Sequence, residues 1–212
     1  MTGNVLLLCN RTANLARPFI DAGFHVVSVD LQEADAPMEG RTHVLADVRM
    51  WKPDFHPVFI GAMPPCTHVA VSGAKHFRVK KLPKLIEALQ ILDACRTICE
   101  DDGHDCPFFI ENPVSVFASY WRKPDHYFDP SQFTGWWRGD HYSKKTCLWT
   151  GGGFRMPEPF ADPCWAGIPP DDRIHKAPPS AGRGDVRSVF PVGFSRAVCA
   201  ANLPLMDSGE AA

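Results

Sequence analysis

Two short stretches of this chain carry side chains that could do chemistry. Cys66 stands in Gly61-Ala62-Met63-Pro64-Pro65-Cys66-Thr67-His68, directly after the apolar run Pro57-Val58-Phe59-Ile60. Such a run reads as a buried strand, and open α/β sheets hold their ligands just past the carboxyl ends of strands. Pro64 and Pro65 fix φ and remove two backbone donors, so sheet pairing ends there and the thiol sits on a stiff loop. A buried structural cysteine is the alternative this stretch leaves open. A second apolar run, Phe108-Phe109-Ile110, leads into Glu111-Asn112-Pro113, which puts a carboxyl in the equivalent position with proline following again. A thiol and a carboxyl at two strand ends form a catalytic layout, a nucleophile with a proton donor or acceptor beside it.

The elements that must position these groups follow from the apolar pattern. Val5-Leu6-Leu7-Leu8, the polar turn Cys9-Asn10-Arg11-Thr12-Ala13-Asn14 and a helix through Leu15, Phe19 and Ala22 that stops at Gly23 open a βαβ unit. The second strand, His25-Val26-Val27-Ser28-Val29-Asp30, ends on an aspartate where nucleoside-binding α/β folds place a ribose-binding acid. A helix cap or loop carboxylate is the alternative for Asp30. A third strand spans 43–48 and includes Asp47, a fourth spans 58–63, and a long amphipathic helix covers 82–100. Cys95, Cys99 and Cys106 lack the paired spacing of a metal site and read as core residues. A fifth strand at 108–110, a short helix at 114–121 and a sixth strand at 146–150 follow. Residues 154–183 show only proline, glycine, charge and scattered aromatics, the pattern of a long loop with a task. An apolar helical stretch over 187–202 ends the chain.

Bulk properties bound the answer. The 212 residues, 45% of them hydrophobic, suffice for one sizeable α/β domain but not two full ones. A formal charge of −2 argues against a surface that coats nucleic acid at large and leaves room for a local basic face. The eight cysteines have no framework spacing, and no apolar amino-terminal segment resembles a signal peptide or a membrane span; a cytoplasmic protein without disulfides is expected. Three regions are predicted: a catalytic core over 1–150, a reduced target-recognition segment over 151–185, and a helix over 186–212 that returns to the core.

Taken together, the Pro-Pro-Cys and Glu-Asn-Pro strand ends and the spacing between them resemble the DNA cytosine-5 methyltransferases, especially compact phage-type members, over nearly the whole chain. The resemblance implies a Rossmann-like α/β fold with a mainly parallel sheet flanked by helices, and S-adenosyl-L-methionine as cofactor. It makes Cys66 the nucleophile that attacks carbon 6 of cytosine and Glu111 the carboxyl at the third ring nitrogen. It assigns Asn10, Arg11 and Thr12 of the first loop, Asp30 with Leu31, Asp47 with Val48, Pro64, and Ser188 of the closing motif Arg187-Ser188-Val189-Phe190-Pro191-Val192-Gly193-Phe194 to the cofactor. Lys144 and Lys145, where the family carries a basic cluster, together with Arg78, Lys80 and Arg122, are the expected DNA contacts. The implied partner is duplex DNA with the target cytosine flipped out; the enzyme is expected to be a monomer, with neither metal nor membrane, in the cytosol of a host cell if phage-encoded. Departures are the glycine-free first loop, Thr67 in place of a glutamine, Ala70 in place of a serine, and the missing recognition domain. Trp136, Trp137 and Arg138 are readable as base-stacking or as surface anchors. A catalytically silent nucleic-acid-binding module, or an enzyme acting on RNA or a free nucleotide, is the competing expectation.

Overall fold

The first strand, β1 (Asn4–Leu8), is apolar on both sides, and Val5 to Leu8 are fully buried. That is the signature of a central strand covered on both faces. The computed structural model describes residues 3–77, 79, 81–176 and 188–207. Around β1 they form a seven-stranded sheet from β2 (His25–Asp30), β3 (Arg41–Leu45), β4 (Pro57–Ala62), β5 (Phe108–Pro113), β6 (His126–Phe128) and β7 (Thr146–Gly151), in the order β3-β2-β1-β4-β5-β7-β6. β1 to β5 are mutually parallel, and β7 runs antiparallel to both β5 and β6. This is the expected Rossmann-like α/β architecture with a mainly parallel sheet.

Strand order reverses direction between β1 and β4. The chain moves one way through α1 (Ala13–Asp21) to β2, and the other way from β4 through α2 (Leu82–Arg96) to β5. Right-handed crossovers therefore put the two helices on opposite faces. Leu15, Ala16 and Phe19 of α1 pack with Val5, Leu7 and Val26; Ala88, Leu92 and Cys95 of α2 pack with Leu6, Leu8 and Val27. The final helix, α5 (Val192–Asp207), joins the α1 face through Phe194, Ala197 and Val198. Cys95 and Cys99 are core residues, as read. Two single-turn helices, α3 (Phe117–Tyr120) and α4 (Arg173–Lys176), interrupt the connections.

Several boundaries differ from the sequence reading. β3 stops at Leu45, so Asp47 lies on the loop beyond it, and β5 continues to Pro113, so Glu111 lies inside a paired strand opposite Leu148. Among the described residues there are seven strands rather than six; the three residues of β6 are too short to give a period. The last helix begins at Val192, five residues later than expected.

The segment after β7 is built against its neighbours. It turns at Gly152, where a Cβ would lie 1.8 Å from the Cys106 carbonyl oxygen. It then climbs the α1 face, with Phe154 edge-on to Phe109, and reaches the carboxyl edge, where Gly135 N–H donates to Phe160 O at 2.8 Å and Asp171 N–H donates to His141 O at 3.2 Å. Among the described residues no helix is long and apolar enough to cross a membrane, and no group of three His, Cys, Asp or Glu is placed to hold a metal ion.

Candidate active site

Parallel strands send their carboxyl ends to one edge, and the candidate residues gather there. β4 delivers the loop of Cys66, whose backbone carbonyl accepts from Val69 N–H at 3.1 Å and Ala70 N–H at 2.9 Å, closing a tight turn around the thiol. The turn is sewn to the continuation of β5. Val71 N–H donates to Val114 O at 2.9 Å, Val116 N–H to Val69 O at 3.0 Å, and Ala70 bridges Ser115. Beneath it, the buried Asn112 side chain donates to the carbonyl of Pro64 at 2.7 Å. The Pro-Pro-Cys and Glu-Asn-Pro stretches are thus one hydrogen-bonded unit. Asn112, which the sequence reading quoted only as part of a motif, is its rivet.

Glu111 is 7% exposed, and its Oε1 has no hydrogen-bond partner, with Lys144 Nζ at 3.9 Å. Burial pushes the carboxyl above the ordinary carboxylate range, and the Lys144 charge opposes the rise without cancelling it. A carboxyl in that state can donate a proton and accept it back. Lys144 itself is held by Asp129, whose Oδ1 accepts the Lys144 backbone N–H at 2.6 Å. Asp129 carried no signal in the sequence because its role exists only once β6 and β7 come together.

The expected DNA contacts separate. Lys144 is not a surface cation: it is buried and faces Glu111. Lys145 is exposed, its ammonium 5.1 Å from the centre of the Tyr127 ring. Arg122 lies at the opposite, amino-terminal edge. Its guanidinium donates to Asp125 at 2.6 Å and Thr150 O at 3.1 Å and approaches Glu100 at 3.6 Å, because β7 runs antiparallel and carries Thr150 away from Cys66. Arg78 and Lys80 lie outside the described residues. Trp136, Trp137 and Arg138 serve as anchors: Trp136 meets Phe160 edge-on, Arg196 lies over Trp137 at 5.0 Å, and Arg138 pairs with Asp162 at 2.5 Å.

The expected cofactor residues from Asn10 to Pro64 follow the carboxyl ends of β1, β2, β3 and β4. The first loop has no glycine, yet it turns as though it had one: Cys9 sits at φ 53°, the left-handed region. Arg41 supports it from below, donating to Ser28 Oγ at 2.8 Å and Asn10 O at 3.4 Å and approaching Asp35 at 3.6 Å. Asp35 accepts from Ala13 N–H at 3.3 Å, occupying the α1 amino terminus in place of Thr12, whose side chain makes no cap bond. Asn10 is buried, and its Oδ1 has no partner. Asp30 receives the Gln32 N–H at 2.9 Å, and Leu31 beside it is exposed. Asp47 is chelated by Arg49, which lowers its pKa, while Val48 is buried beside it. Asn14 Nδ2 donates to Phe190 O at 2.9 Å, which brings the segment of Ser188 to the same edge.

No family model matches the chain, and no curated protein matches it. Among solved structures, the glycopeptide N-methyltransferase MtfA with S-adenosyl-L-methionine overlaps 60% of this chain and 53% of its own, at 17% identity and TM-score 0.31. The complex of DhpI with SAH overlaps 52% and 48%, at 12% identity and TM-score 0.28. The CcbJ methyltransferase from Streptomyces caelestis overlaps 59% and 48%, at 14% identity and TM-score 0.30. The chain spans about half the length of the solved structures it matches. Strand order, with its reversal between β1 and β4 and its antiparallel β7, is what assigns this protein to the Rossmann-like α/β class.

Proposed function

We propose that this protein is an S-adenosyl-L-methionine-dependent methyltransferase that methylates carbon 5 of cytosine in DNA through a covalent adduct at Cys66. The observation that carries this reading is the buried carboxyl of Glu111, whose Oε1 has no hydrogen-bond partner, on the strand to which Asn112 ties the Cys66 loop. Carbon 5 of cytosine is a poor nucleophile. Addition of the Cys66 thiolate to carbon 6 breaks the ring double bond and pushes charge toward the third nitrogen, where Glu111 delivers its proton. The ring becomes an enamine with nucleophilic carbon 5. Once that carbon carries the methyl group, loss of its proton to water and departure of the Cys66 thiolate restore the double bond, and the proton on nitrogen returns to Glu111.

The residues present fit the cofactor. The unpartnered Asn10 Oδ1 is a buried acceptor on the first loop, at the switch point where open α/β sheets bind nucleoside ligands. Asn10, Arg11, Thr12, Asp30, Leu31, Asp47, Val48, Pro64 and Ser188 would hold it. When bound, the cofactor supplies an electrophilic methyl group on a sulfonium. Lys145, exposed at the same edge, fits a phosphate contact, while Lys144 fits a role in tuning Glu111. The partner is duplex DNA with a flipped cytosine, engaged by a monomer.

A single-turnover reaction with labelled S-adenosyl-L-methionine and mixed-sequence duplex DNA, run beside Cys66→Ala, tests the reading. Label at carbon 5 of cytosine only with Cys66 intact supports it. Transfer to RNA or to a free nucleotide alone would change the substrate. Cofactor-independent DNA binding without transfer by either protein would indicate a silent module.

A further inference from the structure

Residues 141–145 carry the chain from the carboxyl edge into β7, whose first residue, Thr146, pairs with Pro113 two places beyond Glu111. The first of them, His141, is 7% exposed, and neither of its ring nitrogens has a hydrogen-bond partner. Its ring lies flat on Trp165, with centroids 4.0 Å apart and an interplanar angle of 5°. The buried Nε1 of Trp165 has no partner either. Three polar atoms are therefore left without bonds in one stacked pair at the proposed catalytic edge. Packing alone does not account for them, because a phenyl ring would fill the place of His141 without orphaned nitrogens, and each such orphan is destabilising.

The neighbouring polar groups do not answer these atoms, since their bonds go elsewhere. The Asp171 carboxylate is taken by Arg173, Asp140 Oδ2 accepts from Gly193 N–H at 2.6 Å, and Asp162 is taken by Arg138 and Cys164 N–H. Lys176 pairs with Asp172 at 3.0 Å. Among the described residues, Arg173, Arg138 and Lys176 are each matched by a carboxylate. What the stacked pair offers is an indole donor and an imidazole that donates on one nitrogen and accepts on the other. That pattern of donors and an acceptor complements the edge of a nucleobase.

Resting on the cytosine-methylation reading, we infer that His141 and Trp165 form the specificity-determining site of this enzyme, hydrogen-bonding the edge of a base that flanks the target cytosine. His141 is fixed for this task by the Asp171 N–H on its carbonyl, and the parallel bridge of Tyr142 to Asp171 holds the 160–173 segment beside it. The expected recognition segment thus contributes Trp165 to one stacked pair with His141.

The test compares the wild-type protein with His141→Phe, His141→Gln and Trp165→Phe. Duplexes in which the bases on either side of one cytosine are varied are scored by fluorescence anisotropy and by single-turnover methyl transfer. Thermal unfolding and S-adenosyl-L-methionine affinity are measured in parallel. The expected result is that His141→Phe unfolds at the same or a higher temperature and keeps its cofactor affinity. It should also lose about ten-fold or more of its discrimination between flanking bases. His141→Gln, which keeps a donor and an acceptor, should retain part of that discrimination, a rescue that a merely structural role would not produce. If the wild type methylates cytosine and the Phe variants show the same flanking preference, the inference is overturned and the reaction assignment stands. If the wild type discriminates among duplexes through His141 but transfers no methyl group, the reaction assignment fails and the recognition site stands. If the wild type binds none of the duplexes, both fall.

Discussion

Glu111 and Lys144 face each other at 3.9 Å, and each is more than nine-tenths buried. Because burial raises the Glu111 carboxyl, its proton stays bound to higher pH in the folded chain than in the unfolded one. The associated stability is fully present below the unfolded value and is lost as pH rises through the folded value. Glu111→Gln should therefore flatten the fall in urea midpoint between acid and alkaline pH. It should also lower the single-turnover rate by roughly 10²- to 10⁴-fold, the usual weight of a positioned acid. Lys144→Met removes the charge that opposes the rise, so the alkaline limb of the rate profile should move to higher pH. A limb that stays in place would detach Lys144 from Glu111. The two lysines adjacent in sequence illustrate how much backbone direction decides: Asp129 turns Lys144 inward while Lys145 stays on the surface.

Between elements, the joints matter more than the strands. Asn112→Ala removes the bond to Pro64 O and leaves that carbonyl buried, at a cost of about 1–3 kcal/mol. The same substitution should reduce the rate of the chemical step, because Pro64 precedes the thiol by two residues. Urea denaturation and single-turnover rates measured on the variant check both parts. At the start of α5, Gly193 gives its N–H to Asp140, and a Cβ there would lie 2.4 Å from the Phe133 carbonyl oxygen. Gly193→Ala should therefore lift α5 from the 130–140 segment and destabilise the fold by about 1–3 kcal/mol, read as a lower urea midpoint. The sequence marked this segment as a closing motif but gave no sign that its glycine is a contact point. The clash is with backbone more than fifty residues away.

At the scale of the molecule, one aromatic core joins distant parts of the chain. Phe109 packs against Phe59, Phe154 and Phe190 with centroids between 5.7 and 6.0 Å, so β4, β5, the segment after β7 and the closing motif share one ring system. Phe109→Ala should cost about 3–5 kcal/mol. It should also weaken cofactor binding, since Phe190 O is the acceptor for Asn14 in the first turn of α1. Calorimetric cofactor titration under conditions where the variant remains folded would show this; unchanged affinity would mean the α1 end is held without Phe190.

The sequence by itself determined the strands that are apolar on both faces, the helix over 82–100 and the loop that follows β4, and it singled out Cys66 and Glu111 by residue type and position. These depend on local period, on proline and glycine, and on residue type, all of which are written in short windows. Tertiary structure alone decided that Lys144 turns toward Glu111, that Arg122 belongs to the far edge, that Asn112 holds Pro64, and that His141 meets Trp165. Each of these depends on which strands become neighbours and in which direction they run. The antiparallel return of β7 brings residues 141–145 to the carboxyl edge of the sheet and carries Thr150 away from it, and no local pattern encodes that reversal.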